Sequence, residues 1–326
     1  MGLAVAVALK IILTSPMPVL HLHLITFILG MGISQIKSNL RFPESFYQVV
    51  SIYLLFGIGF KGGAAIRGIE PSFFLKSLIV LCIGICGTFA LDQLLKKLNV
   101  LDAPNRLGLV AHLGSVSAIT FLTAMEFWRS RLGNASSEWA FFLLLLELPG
   151  ILYAVMLYQK SKTGRFNWSA IGDILRGKSF VLLIVGFAAS FLASKSREFD
   201  FALGFFTNPL SGILCLFLLD LGIYSGERFS DLRGISKKIL FATWGSSVFF
   251  GLLSGLICKL LGFSPGEAFI VSVLIASASY IAAPLVVRNE IQEANPALGL
   301  SLSLGLLFPW NLMAGIPIYF WFANLF

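Results

Sequence analysis

Long runs of apolar residues, separated by short polar connections, dominate the chain. Ten runs are long enough to cross about 30 Å of hydrocarbon as helices. Because strands of a membrane barrel alternate apolar and polar residues, continuous apolar runs favour helices instead. The predicted spans are about 19–36, 46–66, 72–95, 107–128, 138–158, 179–194, 209–226, 237–261, 266–287 and 297–323. No connection is long enough for a soluble domain, which argues against a pump driven by an attached ATPase domain.

One predicted span, 107–128, carries small and hydroxyl residues near its middle, where lipid tolerates polar groups least. Gly114, Ser115 and Ser117 interrupt the apolar run there. A helix broken in hydrocarbon leaves backbone N–H and C=O groups unpaired, at several kcal/mol each, unless protein, water or ligand satisfies them. A half-helix that begins near Ser117 would present free N–H groups, which suit an anion. Freed carbonyls and serine hydroxyls would equally suit a small cation such as Na⁺.

The pattern of the first half recurs in the second half at nearly constant spacing. "LLFGIGFKGGAAIR" (54–67) matches "LLDLGIYSGERFSDLR" (218–233) at two glycines, and "GSVSAIT" (114–120) matches "ASASYIA" (276–282) at two serines. Small residues at such spacing also let membrane helices pack closely. Their recurrence in both halves nevertheless favours a paired site, with a second interrupted helix near Ser277.

The duplication divides the chain into three predicted parts. Residues 1–160 form a first five-helix repeat, 161–178 a short basic linker and 179–326 a second five-helix repeat. Because each repeat has an odd number of spans, the second must insert inverted. Inverted repeats are common in secondary transporters, whose sites lie near the membrane midplane where interrupted helices meet. The predicted fold is an all-α integral membrane protein of about ten transmembrane helices, with interrupted helices crossing at the midplane.

Composition supports a polytopic membrane protein. The 326 residues are 57% hydrophobic and 12% charged, with mean hydropathy +0.88, whereas a soluble domain carries about a quarter charged residues. The net charge of +8 includes no basic stretch interleaved with aromatics, so we expect no nucleic-acid partner. The four cysteines lie in apolar segments and are expected to be small buried residues rather than metal ligands or a disulfide.

The distribution of lysine and arginine predicts the orientation of the chain. These residues concentrate in the connections after odd-numbered spans. The positive-inside rule then places the loop 159–178 in the cytoplasm and both termini outside. The expected location is the inner (plasma) membrane, with lipid around the spans. The first residues, "MGLAVAVALKIILTSPMP" (1–18), lack a clear small-residue cleavage site and are expected to be an interfacial lead-in rather than a removed signal peptide.

Seven motifs, in order, resemble a known family. They are "FKGGAAIR" (60–67), "TAMEF" (123–127), "LELPGI" (146–151), "FSDLR" (229–233), "GFSPGEA" (262–268), "ASASYIAAPLVVR" (276–288) and "EANPALGLSLSLGLLFP" (293–309). Their order and spacing resemble the sodium-dependent bicarbonate transporter family of the SbtA type over nearly the whole chain. The resemblance implies a core and a gate domain, a homotrimer, and Na⁺-coupled bicarbonate uptake by alternating access. Carried over by position, the substrate-binding residues are Gly114, Ser115, Val116, Ser117, Ser277, Ser279, Tyr280 and Ile281.

The coupling-ion site is where this chain departs from the family pattern. Tyr280 stands where that pattern has an aspartate, a natural Na⁺ ligand, and Glu147 matches another aspartate of the pattern. Asp220, which the pattern does not require, would either restore the lost negative charge or pair with Lys61. The resulting coupling-ion candidates are Ser117, Thr120, Ser277, Ser279, Glu147 and Asp220. We expect no cofactor and no metal beyond Na⁺.

Other functions compete with this interpretation. Another small anion or carboxylate is an alternative substrate, coupled to Na⁺ or to H⁺ through His112, Glu147 or Asp220. A transport-inactive, receptor-like homologue is a further alternative. A hydrolase using Ser115 or Ser117 beside His112 is disfavoured, because the Gly-x-Ser-x-Gly elbow is absent from the sequence. The family's PII-like regulatory partner is also disfavoured, because the loop between the repeats is short.

Overall fold

Helices form every regular element in the described part of the chain. The computed structural model describes residues 22–36, 38–67, 69–164, 168–193 and 195–325. The helices are α1 Leu22–Gln35, α2 Glu44–Ile66, α3 Pro71–Leu98, α4 Ala103–Leu113, α5 Ala118–Leu132, α6 Ala140–Leu146, α7 Pro149–Thr163, α8 Trp168–Leu175, α9 Lys178–Leu192, α10 Arg197–Thr207, α11 Leu210–Arg228, α12 Lys237–Leu260, α13 Pro265–Ala276, α14 Ala282–Glu290 and α15 Pro296–Asn324.

The described residues contain seven helical segments that are long and apolar enough to cross a membrane. Three shorter apolar helices, α1, α9 and α13, accompany them. Three predicted spans are each divided in the structure: 107–128 into α4 and α5, 138–158 into α6 and α7, and 266–287 into α13 and α14. The serine-rich segments repeated in the sequence stand at the first and last of these breaks. The lead-in 1–18 and the start of the predicted span 19–36 lie outside the described residues. The protein is therefore a multi-pass, all-helical membrane protein.

Two helices lie in connections where the apolar pattern predicts none. α8 occupies part of the predicted linker 161–178, and α10 precedes the span containing α11. At the start of α10, the Ser196 hydroxyl accepts a hydrogen bond of 3.2 Å from the backbone N–H of Phe199. This cap satisfies a donor that the first helical turn leaves free. α8 and α10 have 8 and 11 residues, so each is by itself too short to cross about 30 Å of hydrocarbon.

Helices α1 and α11, from opposite halves of the chain, form the most extensive helix pair. Gly30 and Gly222 face each other at their contact. A Cβ at Gly30 would overlap the carbonyl oxygen of Leu219, and one at Gly222 would overlap that of Phe27. Small residues let membrane helices approach until their backbones touch. Glycine is required at both positions because a larger residue would separate the helices.

Helices α2 and α9 form a second close pair that matches the first in its chemistry. A Cβ at Gly59 would overlap the Leu183 carbonyl oxygen, and one at Gly186 would overlap that of Phe56. Here too, the partners come from opposite halves of the chain. The glycine spacing seen in the sequence therefore serves helix packing in both pairs.

A serine continues each of these contacts one turn further along. The Ser34 hydroxyl occupies the space beside Gly226 in the first pair, and the Ser190 hydroxyl that beside Gly63 in the second. Both hydroxyls bond back to their own helices, Ser34 to the carbonyl of Met31 at 2.7 Å. The two pairs thus share a Gly-x-x-x-Ser stripe packed on a Gly-x-x-x-Gly stripe.

The last helix, α15, departs from regular α-helix at two places. Residues Leu302–Leu307 and Asn311–Gly315 are π-helical, and Pro309 between them cannot donate a ladder hydrogen bond. Such bulges free carbonyls and redirect side chains, and they occur often at functional sites. The second bulge places the Asn311 side chain against the end of α13, where it donates to the Ala276 carbonyl at 2.9 Å.

Candidate functional site

The first helix interruption separates α4 from α5. α4 ends at Leu113, and Gly114 caps it. The Gly150 N–H donates to the Gly114 carbonyl at 2.9 Å, which satisfies one acceptor that the break frees. A Cβ at Gly150 would overlap the Gly114 backbone, so this contact requires glycine. The broken helix is therefore joined directly to the first turn of α7.

The second half-helix, α5, begins at a capped N-terminus. The Ser117 hydroxyl accepts hydrogen bonds from the Thr120 N–H at 3.1 Å and from the Thr120 hydroxyl at 2.9 Å. The first internal donor is the Phe121 N–H, which bonds to the Ser117 carbonyl. The N–H groups of Ala118 and Ile119 precede that donor and have no acceptor inside the helix. Such groups carry the partial positive charge of a helix N-terminus.

The second interruption separates α13 from α14. The carbonyl of Ala276, at the end of α13, accepts from the Ser247 hydroxyl at 2.5 Å and from the Asn311 amide. Across the break, the Ser279 hydroxyl accepts a hydrogen bond of 3.2 Å from the Ala283 N–H in α14. Side chains thus satisfy backbone groups that the surrounding lipid would leave unpaired.

The two interruptions are hydrogen-bonded to each other. The Ser117 N–H donates to the Ser277 hydroxyl at 2.9 Å, and the Ser279 N–H donates to the His112 carbonyl at 2.8 Å. Ser277 in turn donates to the carbonyl of Leu274 at 2.7 Å. The serines repeated in the two halves of the sequence therefore meet in space.

A narrow cavity of about 10 Å³ lies between the two interruptions. We refer to it as the central cavity. It is lined by Leu55, Val116, Ser117, Ala118, Glu147, Ser179, Ser279, Tyr280 and Ile281. The lining combines half-helix residues with one residue each from α2 and α9, the helices of the second glycine-packed pair.

Two buried polar atoms in the central cavity lack partners among the described residues. Tyr280 is 6% exposed and Glu147 is 3% exposed. Neither the Tyr280 hydroxyl nor the Glu147 Oε2 has a partner in normal hydrogen-bond geometry, although the Ser117 hydroxyl is close enough to Tyr280 for a weak hydrogen bond. Unpartnered buried polar groups are costly, at about 1–3 kcal/mol each. A hydrogen-bond donor and a carboxyl group thus face one enclosed space.

Five of the eight predicted substrate-binding residues line the central cavity. They are Val116, Ser117, Ser279, Tyr280 and Ile281. Gly114 and Ser277 instead line a neighbouring cavity of about 30 Å³, the lateral cavity, which α3 and α12 also border. The Ser115 hydroxyl donates to the Glu147 carbonyl at 2.6 Å. Ser115 therefore holds the Glu147 backbone beside the central cavity.

The predicted coupling-ion residues occupy different places. Glu147, Ser117 and Ser279 meet in the central cavity, while Thr120 bonds the Ser117 side chain. Asp220 is half-buried on α11 and is absent from the lining of both cavities. In the described part of the chain it forms no ion pair with Lys61. Its predicted role in binding the coupling ion stays a prediction.

His112 occupies the core rather than a cavity wall. It is fully buried, and its Nδ1 lies 2.8 Å from the Gly108 carbonyl. A Cβ at Gly299 would touch the imidazole ring at 2.5 Å, so α15 packs directly on it. Its Nε2 has no partner among the described residues. These contacts are those of a packed core histidine rather than of a substrate ligand.

Sequence reasoning did not identify three residues of the central cavity, Leu55, Ala118 and Ser179. Ala118 directly follows the predicted Ser117. Leu55 is one apolar residue in a long apolar run, and Ser179 stands at the start of another. Neither carries a local signal, because only the packing of α2 and α9 against the interrupted helices brings them to the cavity.

Comparison with known families agrees with this geometry. Residues 23–324 match the Na⁺-dependent bicarbonate transporter superfamily. The chain belongs to that superfamily. The match covers nearly all of the chain, including both interrupted helices, and confirms the resemblance inferred from the motifs. No individually curated protein matches the chain significantly.

Membership of the transporter superfamily assigns the chain a class of function. It implies an anionic substrate and a membrane location, in agreement with the apolar helices.

Proposed function

We propose that this superfamily member is a secondary active transporter that carries bicarbonate together with Na⁺ by alternating access. The observation that carries the proposal is the pair of unpartnered groups in the central cavity, the Tyr280 hydroxyl and the Glu147 carboxyl. An anion with hydrogen-bond acceptors would satisfy the Tyr280 hydroxyl, and a cation bound beside it would satisfy the Glu147 carboxyl.

Bicarbonate fits the donors around this cavity. The N–H groups at the start of α5, beginning with Ala118, attract negative charge, and the Tyr280 hydroxyl supplies a further donor. Ser117 and Ser279 line the same space. Bicarbonate is a small planar anion with oxygen acceptors and one O–H donor, so it can bond to groups of both kinds.

Na⁺ fits the acceptors around the same cavity. Hard cations prefer carboxylate, carbonyl and hydroxyl oxygens. Glu147, which is only 3% exposed, supplies a carboxyl group to this cavity. An ionised carboxylate at this depth is expensive without a partner. Occupancy by a cation would therefore stabilise an ionised Glu147, and the cation in turn would favour the bound anion.

The proposed architecture is two inverted five-helix repeats, residues 1–160 and 179–326, in a homotrimer. Two pairs of similar elements support it: the half-helices that meet at the central cavity, and the glycine-serine contacts shared by α1–α11 and α2–α9. In this arrangement the interrupted helices would move against the glycine-packed helices. Both termini would lie outside the inner membrane and the loop 159–178 in the cytoplasm.

Uptake of radiolabelled bicarbonate into proteoliposomes tests the proposal. We expect an inward Na⁺ gradient to drive uptake, and both Tyr280→Phe and Glu147→Gln to reduce it at least about tenfold, as expected for the loss of about 1.4 kcal/mol or more of ligand interaction. Tyr319→Phe is the matched control, because the Tyr319 hydroxyl is also buried and unpartnered in the described structure but lies outside the cavities described above.

Each outcome distinguishes a function. Unchanged uptake in both Tyr280→Phe and Glu147→Gln would show that the central cavity is not the binding site for the transported ions. Uptake driven by a pH gradient without Na⁺ would favour the proton-coupled alternative. Absence of uptake of bicarbonate and of other small anions, in folded protein, would favour a receptor-like homologue.

A further inference from the structure

A third cavity, of about 20 Å³, lies along α2 and α5, both of which also line the central cavity. We refer to it as the Lys61 cavity. It is lined by Ile58, Lys61, Phe121, Leu122, Met125, Glu126, Arg129, Ser137, Ala140 and Leu210. Three of these residues are ionisable, in a lining that is otherwise mostly apolar.

The position of the Lys61 cavity follows from helix geometry. Leu55 of α2 and Ala118 of α5 line the central cavity, whereas Lys61 and Glu126 of the same helices line the Lys61 cavity. At 1.5 Å per residue, six to eight residues correspond to about 9–12 Å along the helices. Phe121, which is 2% exposed, lies on α5 between the two positions. The cavities are successive spaces between α2 and α5, with an apolar residue between them.

The charges of the Lys61 cavity leave one cation unpaired. Arg129 forms an ion pair with Glu126. Lys61 is partly buried and interacts electrostatically with both, repelled by Arg129 and attracted by Glu126. Among the described residues, Lys61 forms no hydrogen bond or ion pair. The lining therefore carries a net charge of about +1, focused by low-dielectric walls.

We propose that the Lys61 cavity is a second anion site, at which Lys61 holds the anion on its way to or from the central cavity. That the anion is bicarbonate rests on the function proposed above. Attraction of an anion to this cavity does not depend on that function, because any small anion that enters the cavity meets the unpaired Lys61 ammonium group. Glu126, paired to Arg129, keeps the net charge low enough for the anion to leave.

A reagent-charge experiment tests the site without requiring transport. Ser137→Cys places a thiol in the lining while retaining Lys61, Arg129 and Glu126. In a background with the four natural cysteines replaced by alanine, the purified protein in detergent is treated with a negatively charged or a positively charged methanethiosulfonate. Each rate is divided by the rate of a free thiol with the same reagent. Detergent exposes both ends of the molecule, so the result is independent of membrane orientation.

We expect the Ser137→Cys protein to react about tenfold faster with the negative reagent than with the positive one, in line with the field of a charged, enclosed cleft. Adding Lys61→Gln should remove this preference, and adding Lys61→Arg should retain it. Lys160→Gln, which removes an exposed charge elsewhere, should leave the preference unchanged. Gel filtration verifies that each variant is folded.

Uptake kinetics provide the second measurement. In proteoliposomes, Lys61→Gln should raise the KM for bicarbonate about five- to tenfold while changing kcat less, and Lys61→Arg should recover most of the affinity. A Ser137→Cys thiol that is inert to both reagents, or a charge preference that survives Lys61→Gln, would overturn the second site. If the charge preference holds but no bicarbonate uptake occurs, the second site stands and the proposed function fails.

Discussion

At the scale of single residues, the binding region depends on positions where nothing larger than glycine fits. Gly114 and Gly150 bring two backbones together where the first span breaks, and the Gly150 N–H satisfies the Gly114 carbonyl. The break is tolerated because a neighbouring backbone, and not lipid, faces the freed acceptor. Gly114, which the sequence marks as a position that interrupts a helix, thus forms a close backbone contact with Gly150.

We predict that Gly150→Ala lowers the free energy of unfolding by about 1–3 kcal/mol, the range for overpacking a close contact. The added methyl group would overlap the Gly114 backbone, which cannot rotate away as a side chain could. Unfolding by titrated denaturing detergent in mixed micelles measures the change.

Gly87→Ala is the control for this substitution. Gly87 is also helical, but no atom lies within 4 Å of an added Cβ there, so we expect a neutral or slightly stabilising change of up to about 1 kcal/mol. Equal stability of the Gly150→Ala and wild-type proteins would contradict the proposed backbone contact.

At the scale of helices, one buried ion pair holds together the elements that carry the first interruption. Asp92 of α3 is 1% exposed. It accepts a hydrogen bond from the Arg106 guanidinium of α4 at 2.8 Å and one from the Tyr153 hydroxyl of α7 at 2.9 Å. The structure thus gives this carboxylate two specific partners. Three helices are thereby fixed around a single carboxylate.

We predict that Asp92→Asn lowers the free energy of unfolding by about 3 kcal/mol, because it leaves the Arg106 charge partly buried without its counter-charge. The same micelle titration measures it. Asp173→Asn is the matched control: Asp173 and Arg176 form a pair at 3.6 Å with side chains 62% and 83% exposed, and such surface pairs contribute about 0–1 kcal/mol. Similar losses in both variants would argue against a special role for the buried pair.

At the scale of the whole molecule, polar contacts join distant segments at one end. Lys162 of α7 pairs with Glu293, beyond α14, and the Asn105 side chain accepts from the Asn295 N–H at 2.7 Å. The contacts place the predicted loop 159–178 at the same end as the connection between α14 and α15. The positive-inside rule predicts that this end faces the cytoplasm.

We predict opposite accessibility for two single cysteines in a protein without its natural cysteines. Leu261→Cys, after α12, should react with a membrane-impermeant maleimide in intact cells. Lys160→Cys, on α7, should react only after permeabilisation, because its connection carries the excess of basic residues. The reverse pattern would invert the predicted orientation, and labelling of both in intact cells would show that the two ends are not separated by the membrane.

Much of the fold was predictable because hydropathy is a local property. A run of apolar residues identifies α2, α3 and α12 within three residues of their observed ends. The repeated serines also predicted two broken helices, since hydroxyl and small residues at mid-span make an intact helix less favourable. By contrast, α8 and α10 were not predicted, because short helices beside a membrane lack a long apolar run.

The site was predictable only in part. Ser117 and Ser279 were identified from the repeat, and both line the central cavity. Asp220 was a candidate because it is ionisable and lies in a predicted span, but a span does not specify which way a side chain faces. The packing of α11 keeps it out of the central cavity, whereas Glu147 reaches that cavity.

By itself, the sequence determined that this chain lies in a membrane, where its helices run, and that two of them break at matching serine-rich segments. Those properties depend on residues close together along the chain. The tertiary structure decided that the two breaks bond to each other, that Glu147 and Tyr280 share one cavity, and that Lys61 lacks a partner among the described residues. These depend on contacts between segments far apart in the sequence, because helix packing, and not local hydropathy, fixes which buried polar groups meet and which are left for a ligand.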